Sequence, residues 1–457
     1  MKEKKKIIIM SIVIFMLCIS LSALIYLCFF SDKYFKDLGY TAQDIKSIRQ
    51  YHLEEEVTEY NQSLIFALHS EYFSEKNISY YLLFNSQIDY TDCINKIAQK
   101  YTLDEVKELL TVLNDDEAAE LSEYDKINDI NSFIQLKNKG YNVSDSIALD
   151  KILNEESMKL FLSLPTIQNP TNFINYINTG YTVDTVINIY NKLGEKTFDD
   201  LSNIKYFSDL NDYITADNFN INLLARYLIY SNNNSESAEN SIYAVNNNYD
   251  YIEDPNFNSF YDNSTETNDH SLTSLVNKSN SLNKDYEPEG LQDIDANYRN
   301  SAQSLLPEVI EAFIKMSDDC YKATERRILI YSGYRSYYAE ESLYNEYLNA
   351  AGEGANNKVD SFANRPGHSE HQTGLAFDIC QKGYSYNEYD TCISSDWVYE
   401  NCYNYGFILR YPSSRAFLTG CYYTPYHYRY VGIEAAQIIK NYQWTLEEYN
   451  YLFGNNK

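Results

Sequence analysis

Three separated segments carry side chains capable of metal or proton chemistry. In "RPGHSEHQTGLAFDIC", His371 precedes the short apolar run Leu375–Ile379, which holds Asp378. In "GCYYTPYHYRYVG", His427 stands among tyrosines, and "RRILIYSGYRS" delivers Arg335 just after the apolar run Ile328–Tyr331. Two imidazoles and a carboxylate can form an open zinc site that leaves one position for water or substrate. Spacing alone does not separate that site from the ordinary fates of these residues, a satisfied core histidine or a surface salt-bridge arginine.

For the three segments to converge, both apolar runs read as buried strands, the first delivering Arg335 at its exposed end and the second carrying Asp378 within it. Gly374 permits the tight backbone needed between His371 and the second strand. The remainder of the chain bounds what such a site can serve. Lys+Arg total 37 against 65 Asp+Glu, a formal charge of -28 that repels nucleic acid. A hydrophobic content of 44% over 457 residues supports packed cores and two or three domains. The 47 tyrosines run through all segments and read as compositional bias.

At the N-terminus "MKEKKK" precedes the apolar run Ile7–Phe30, whose length suits one transmembrane helix. The lysines place residues 1–30 as a cytoplasmic end and anchor, with everything from Ser31 outside a bacterial cell membrane. A cleaved signal peptide is the alternative, but its apolar core is usually shorter and no A-x-A site follows. Among the cysteines, Cys380 and Cys392 flank a polar loop and either pair there or remain free thiols. No C-x-x-C spacing points to a sulfur-bound metal.

Residues 31–230 contain an internal period of 40 residues, seen when "NSFIQLKNKGYNV" from Asn131 is laid on "TNFINYINTGYTV" from Thr171. In each unit a helical pattern ends at Gly-Tyr, and Thr102, Asn142 or Thr182 then suits the N-cap of a following helix. The expectation is an all-α stack of helix pairs. It is either a ligand-binding surface or a spacer that holds the C-terminal domain off the membrane, and the spacer is favoured. Residues 231–269, polar and acidic, read as a linker without order. A last domain covers residues 270–457.

Residues 271–442 of that domain carry, in order, "LVNK", "YEPEGL", "SGYRSY", "PGHSEHQTGLAFDI", "NYGFILRYP" and "YHYRYVG". The series closely resembles the VanY-type D-alanyl-D-alanine carboxypeptidases of the peptidase M15 family. The resemblance implies an α+β domain, a small antiparallel sheet with flanking helices, and one zinc ion held by His371, Asp378 and His427. It implies a substrate, the D-Ala-D-Ala end of peptidoglycan stem peptides. Arg335 takes the family's place for holding the scissile carbonyl oxygen as negative charge develops on it. Ser369 is expected near the substrate, and His368 at most behind the ligands.

The chain departs from the family at Thr424. The family's last ligand belongs to an E-P-W-H segment whose Glu is the general base, and here the segment is Thr424-Pro425-Tyr426-His427. A neutral hydroxyl cannot shuttle that proton. Glu340 stands where the family commonly has Gln, and is expected to be a surface acid of a helix rather than a substitute base. Two outcomes follow: a zinc D,D-carboxypeptidase that trims stem peptides, using another acid or operating slowly, or a zinc-containing relative that binds peptidoglycan without catalysis.

Overall fold

The computed structural model describes residues 10, 14–21 and 31–454, in two compact units, residues 1–174 and 175–457. Unit 1 is helical. Its helix pairs follow the capping logic of the repeat: Thr102 accepts the Glu105 amide in a capping box, and Asn142 accepts from Asp145. Gly140, which closes the helix Ile130–Asn138, has φ 96°, a conformation that costs glycine little and other residues more. Its core is Phe35, Leu64, Tyr81, Ile97, Phe133 and their neighbours.

The transmembrane helix expected over Ile7–Phe30, and with it the single-pass placement and membrane contact, is not supported. No helix among the described residues is long and apolar enough to cross a membrane. Helical residues 14–21 are the longest described stretch of that run. The rest of the run lies outside the described residues.

Unit 2 holds the last helices of the repeat region together with the C-terminal domain. Residues 175–230 lie in the same compact unit as that domain. Residues 231–269 are ordered too. They include the helix Ala238–Asn246, with Ile242 and Val245 buried, and a short turn Phe257–Tyr261 whose Phe257 is buried. Asp250 pairs with both Nε and Nη2 of Arg226 at 2.7 and 2.6 Å. Apolar residues spaced three apart suffice to bury one helix face here despite the polar average.

In the C-terminal domain we label the helices α1 (Pro307–Thr324), α2 (Tyr337–Ala351), α3 (Ile433–Tyr442) and α4 (Leu446–Phe453). The strands are β1 (Ile328–Ser332), β2 (Ala376–Gln381), β3 (Phe407–Leu409) and β4 (His427–Tyr430). They form an antiparallel sheet of order β1-β2-β4-β3. Phe313 and Met316 of α1 pack on Ile328, Ile330, Phe377, Ile379, Phe407 and Tyr428, one continuous apolar core. Two features of register matter for the site. Asp378 and His427 are directly opposite across β2 and β4, and an irregularity between Ile330 and Ser332 turns β1 toward Arg335.

Candidate metal centre

The turn Glu370–Thr373 delivers His371 to the head of β2, and Gly374 ends it at φ 68°. The carbonyl of Gly333, at the end of β1, can only accept, so His371 Nδ1 carries its proton and donates to it at 2.7 Å. That leaves the Nε2 lone pair facing Asp378 Oδ2, 3.4 Å away. Gly333 is needed for this approach, because a Cβ there would meet the Ser304 carbonyl at 2.7 Å. Across the strand pair, His427 Nδ1 lies 2.8 Å from Asp378 Oδ1.

One donor atom from each of His371, Asp378 and His427 lies within 4.8 Å of the others. Electrostatics leaves most of this set in the states a metal requires. Burial alone would raise the Asp378 carboxyl, but the two imidazoles outweigh it and hold it well below the usual carboxylate range. Burial, with the Arg335 charge nearby, pushes His371 below the ordinary histidine value, toward neutral imidazole. His427 goes the other way: burial would lower it, but its bond to Asp378 and the nearby Glu370 charge outweigh burial and raise it. A metal taking Nδ1 would displace one proton there. Two imidazoles and a carboxylate with converging lone pairs fit a zinc ion.

Arg335 is set beside this cluster by its backbone, whose N–H donates to the His371 carbonyl at 3.1 Å. Its Nε donates to Glu340 and its Nη1 to Ser332 Oγ at 3.1 Å. Glu340 is thus a buried partner of Arg335, not the surface acid expected for this helix position. Ser369 is buried just before the His371 turn. His368 is held away from the cluster, its Nδ1 2.8 Å from the Asn277 carbonyl. The Thr424 hydroxyl donates to the Tyr422 carbonyl at 3.0 Å, so its proton is spent on its own turn. Cys380 and Cys392 are free thiols.

Four residues behind the cluster escaped the motif reading. Glu370 is fully buried between Arg410 and Arg429, and Arg410 also pairs with Glu447 of α4. Burial would raise the Glu370 carboxyl, but the two guanidinium charges hold it well below the usual range. A signal for Arg429 was present, since it stands two residues after His427 and so shares its face of β4. Glu447 had none.

The model of the family VanY, D-alanyl-D-alanine carboxypeptidase, matches residues 302–433. YodJ of Bacillus subtilis (strain 168), a provisionally assigned carboxypeptidase, is 36% identical over 192 residues, 40% of this chain and 69% of that protein. VanXYC of Enterococcus gallinarum, a bifunctional D-Ala-D-Ala dipeptidase and carboxypeptidase, is 35% identical over 186 residues, 38% of this chain and 92% of that protein. Among solved structures, the LdcB LD-carboxypeptidase is 34% identical, covering 41% of this chain and 89% of that one at a TM-score of 0.37. By its sequence relatives, the chain belongs to the VanY family of D-alanyl-D-alanine carboxypeptidases.

Proposed function

We propose that His371, Asp378 and His427 hold one zinc ion and that the chain removes the terminal D-Ala from peptidoglycan stem peptides, slowly. The observation that carries this reading is the convergence of the three donor atoms within 4.8 Å, with the far nitrogen of His371 already committed to Gly333. When bound, zinc supplies Lewis-acid polarisation of a carbonyl and activation of water.

The protein's own groups do the rest. Arg335 donates to the carbonyl oxygen as negative charge develops on it, a role for which its Nη2 has no protein partner among the described residues. Ser369 lies beside the substrate. Thr424 cannot take a proton from water and return it to the leaving amine, a loss worth about 10²–10⁴-fold in rate. The Thr424 hydroxyl turned to the Tyr422 carbonyl favours a second reading, in which the site binds D-Ala-D-Ala ends and does not cut them.

The deciding assay loads the full chain with zinc and measures D-Ala release from a pentapeptide stem ending in D-Ala-D-Ala, beside Thr424→Glu and with a tetrapeptide stem in parallel. The parent is expected to run at least about 10²-fold below the Glu variant. Parent rates equal to those of the variant would remove the missing-base argument. Peptide binding without release by the parent would establish the second reading.

A further inference from the structure

The ring of His427 has a second nitrogen, and what faces it is unusual. Nε2 is buried without a hydrogen-bond partner, and 3.5 Å away lies Glu370 Oε2, equally buried and equally unpartnered. The other oxygen of that carboxylate is saturated: Oε1 accepts from Arg410 Nε at 2.7 Å and from Arg429 Nη1 at 3.0 Å. Both arginines are fully buried, and Arg410 is braced from behind by both oxygens of Glu447. The carboxylate is thereby pinned with its free oxygen aimed at the imidazole. Buried polar atoms are rarely left unpaired, and here the two orphans are a complementary donor and acceptor.

We infer that Glu370 is a positioning residue for His427, holding the ring proton on Nε2 so that the Nδ1 lone pair faces the metal. The inference rests on the zinc reading above. When Nδ1 binds metal, the one remaining ring proton must sit on Nε2, and Glu370 Oε2 is the acceptor placed to receive it. A carboxylate in this position fixes tautomer and ring orientation and raises ligand basicity. A glutamine of the same volume would do the reverse. Its carbonyl oxygen would turn to the two guanidinium donors and its amide NH2 to Nε2, which must then accept. The ring proton would move to Nδ1, where the metal belongs.

The test compares the full-length parent, Glu370→Gln and His427→Ala. Zinc affinity is measured by competition with a chromophoric chelator, and the ligand field by the visible spectrum of the cobalt(II) forms. Glu370→Gln is expected to bind zinc about 10–100-fold more weakly, with a cobalt spectrum displaced toward that of His427→Ala. A folded Glu370→Gln with the parent's affinity and spectrum would overturn the inference and leave the zinc reading standing. A parent that takes up no zinc would overturn both. Should the variant not fold, 15N-histidine NMR of the zinc-loaded parent decides: a proton on His427 Nε2 supports the inference, and its absence there defeats it.

Discussion

Arg335 donates through Nε to Glu340 and through Nη1 to Ser332, which fixes the guanidinium plane beside His371. This commitment bears on whether Glu340 replaces the missing base, because its Oε2 already accepts from Arg335 Nε. In the zinc-loaded parent, Glu340→Gln is expected to lower kcat/KM less than about tenfold, since the amide oxygen still accepts from Nε. Arg335→Lys is expected to lose about 10²-fold or more, because lysine lacks the fork that can hold both partners and an oxyanion. A hundredfold loss on Glu340→Gln would instead make Glu340 the proton carrier. The same residues show what a motif reveals. His371, Asp378 and His427 were legible because each lies in a short dense pattern. The charges behind them were not, since Glu370, Arg410, Arg429 and Glu447 meet only through the sheet register and the docking of α4.

Among the elements, the helix pairs share a device that a pattern of apolar positions does not show. The tyrosine after the helix-ending turn uses its hydroxyl to accept a backbone N–H 26 residues ahead: Tyr101 from Ile127, Tyr141 from Ile167 and Tyr181 from Phe207. Tyr40 accepts likewise from Asn61, 21 residues ahead. Each hydroxyl therefore ties one helix pair to the start of the next, and tyrosine is needed where phenylalanine would fill the same space. Gly-Tyr was visible as a period, yet the reason for the hydroxyl lay in a backbone amide far along the chain. Tyr141→Phe should leave the buried Ile167 amide short of its partner and cost about 1–3 kcal/mol. Urea unfolding of the full chain followed by circular dichroism measures this, with Tyr72→Phe at an exposed site expected to stay within about 0.5 kcal/mol.

For the whole molecule, the boundary of the C-terminal body is set by α4. One side of this helix sends Glu447 to Arg410 beneath the metal centre. Its other contacts reach the last helical repeats: the Leu452 carbonyl accepts the Lys205 amide at 2.9 Å, and Tyr451 stacks on Phe207. Just before it, Trp444 Nε1 donates to the Asn222 carbonyl and the Tyr442 hydroxyl to Asp200. The family model ends at residue 433, before α4 begins. Composition hid these contacts, because an acidic, Asn-rich average over residues 231–269 suggested a break in the chain. A fragment of residues 270–457 would lose at least three of these hydrogen bonds, each worth about 0.5–1.5 kcal/mol, together with the apolar contact. At about 2–4 °C per kcal/mol for a body of this size, it should melt roughly 5–15 °C below a fragment of residues 175–457. Calorimetry of the two zinc-loaded fragments tests this. Equal melting temperatures would mean that the repeats merely rest against the C-terminal body, and a zinc affinity lost along with stability in the shorter fragment would mean that α4 carries their docking through Glu447 to the metal site.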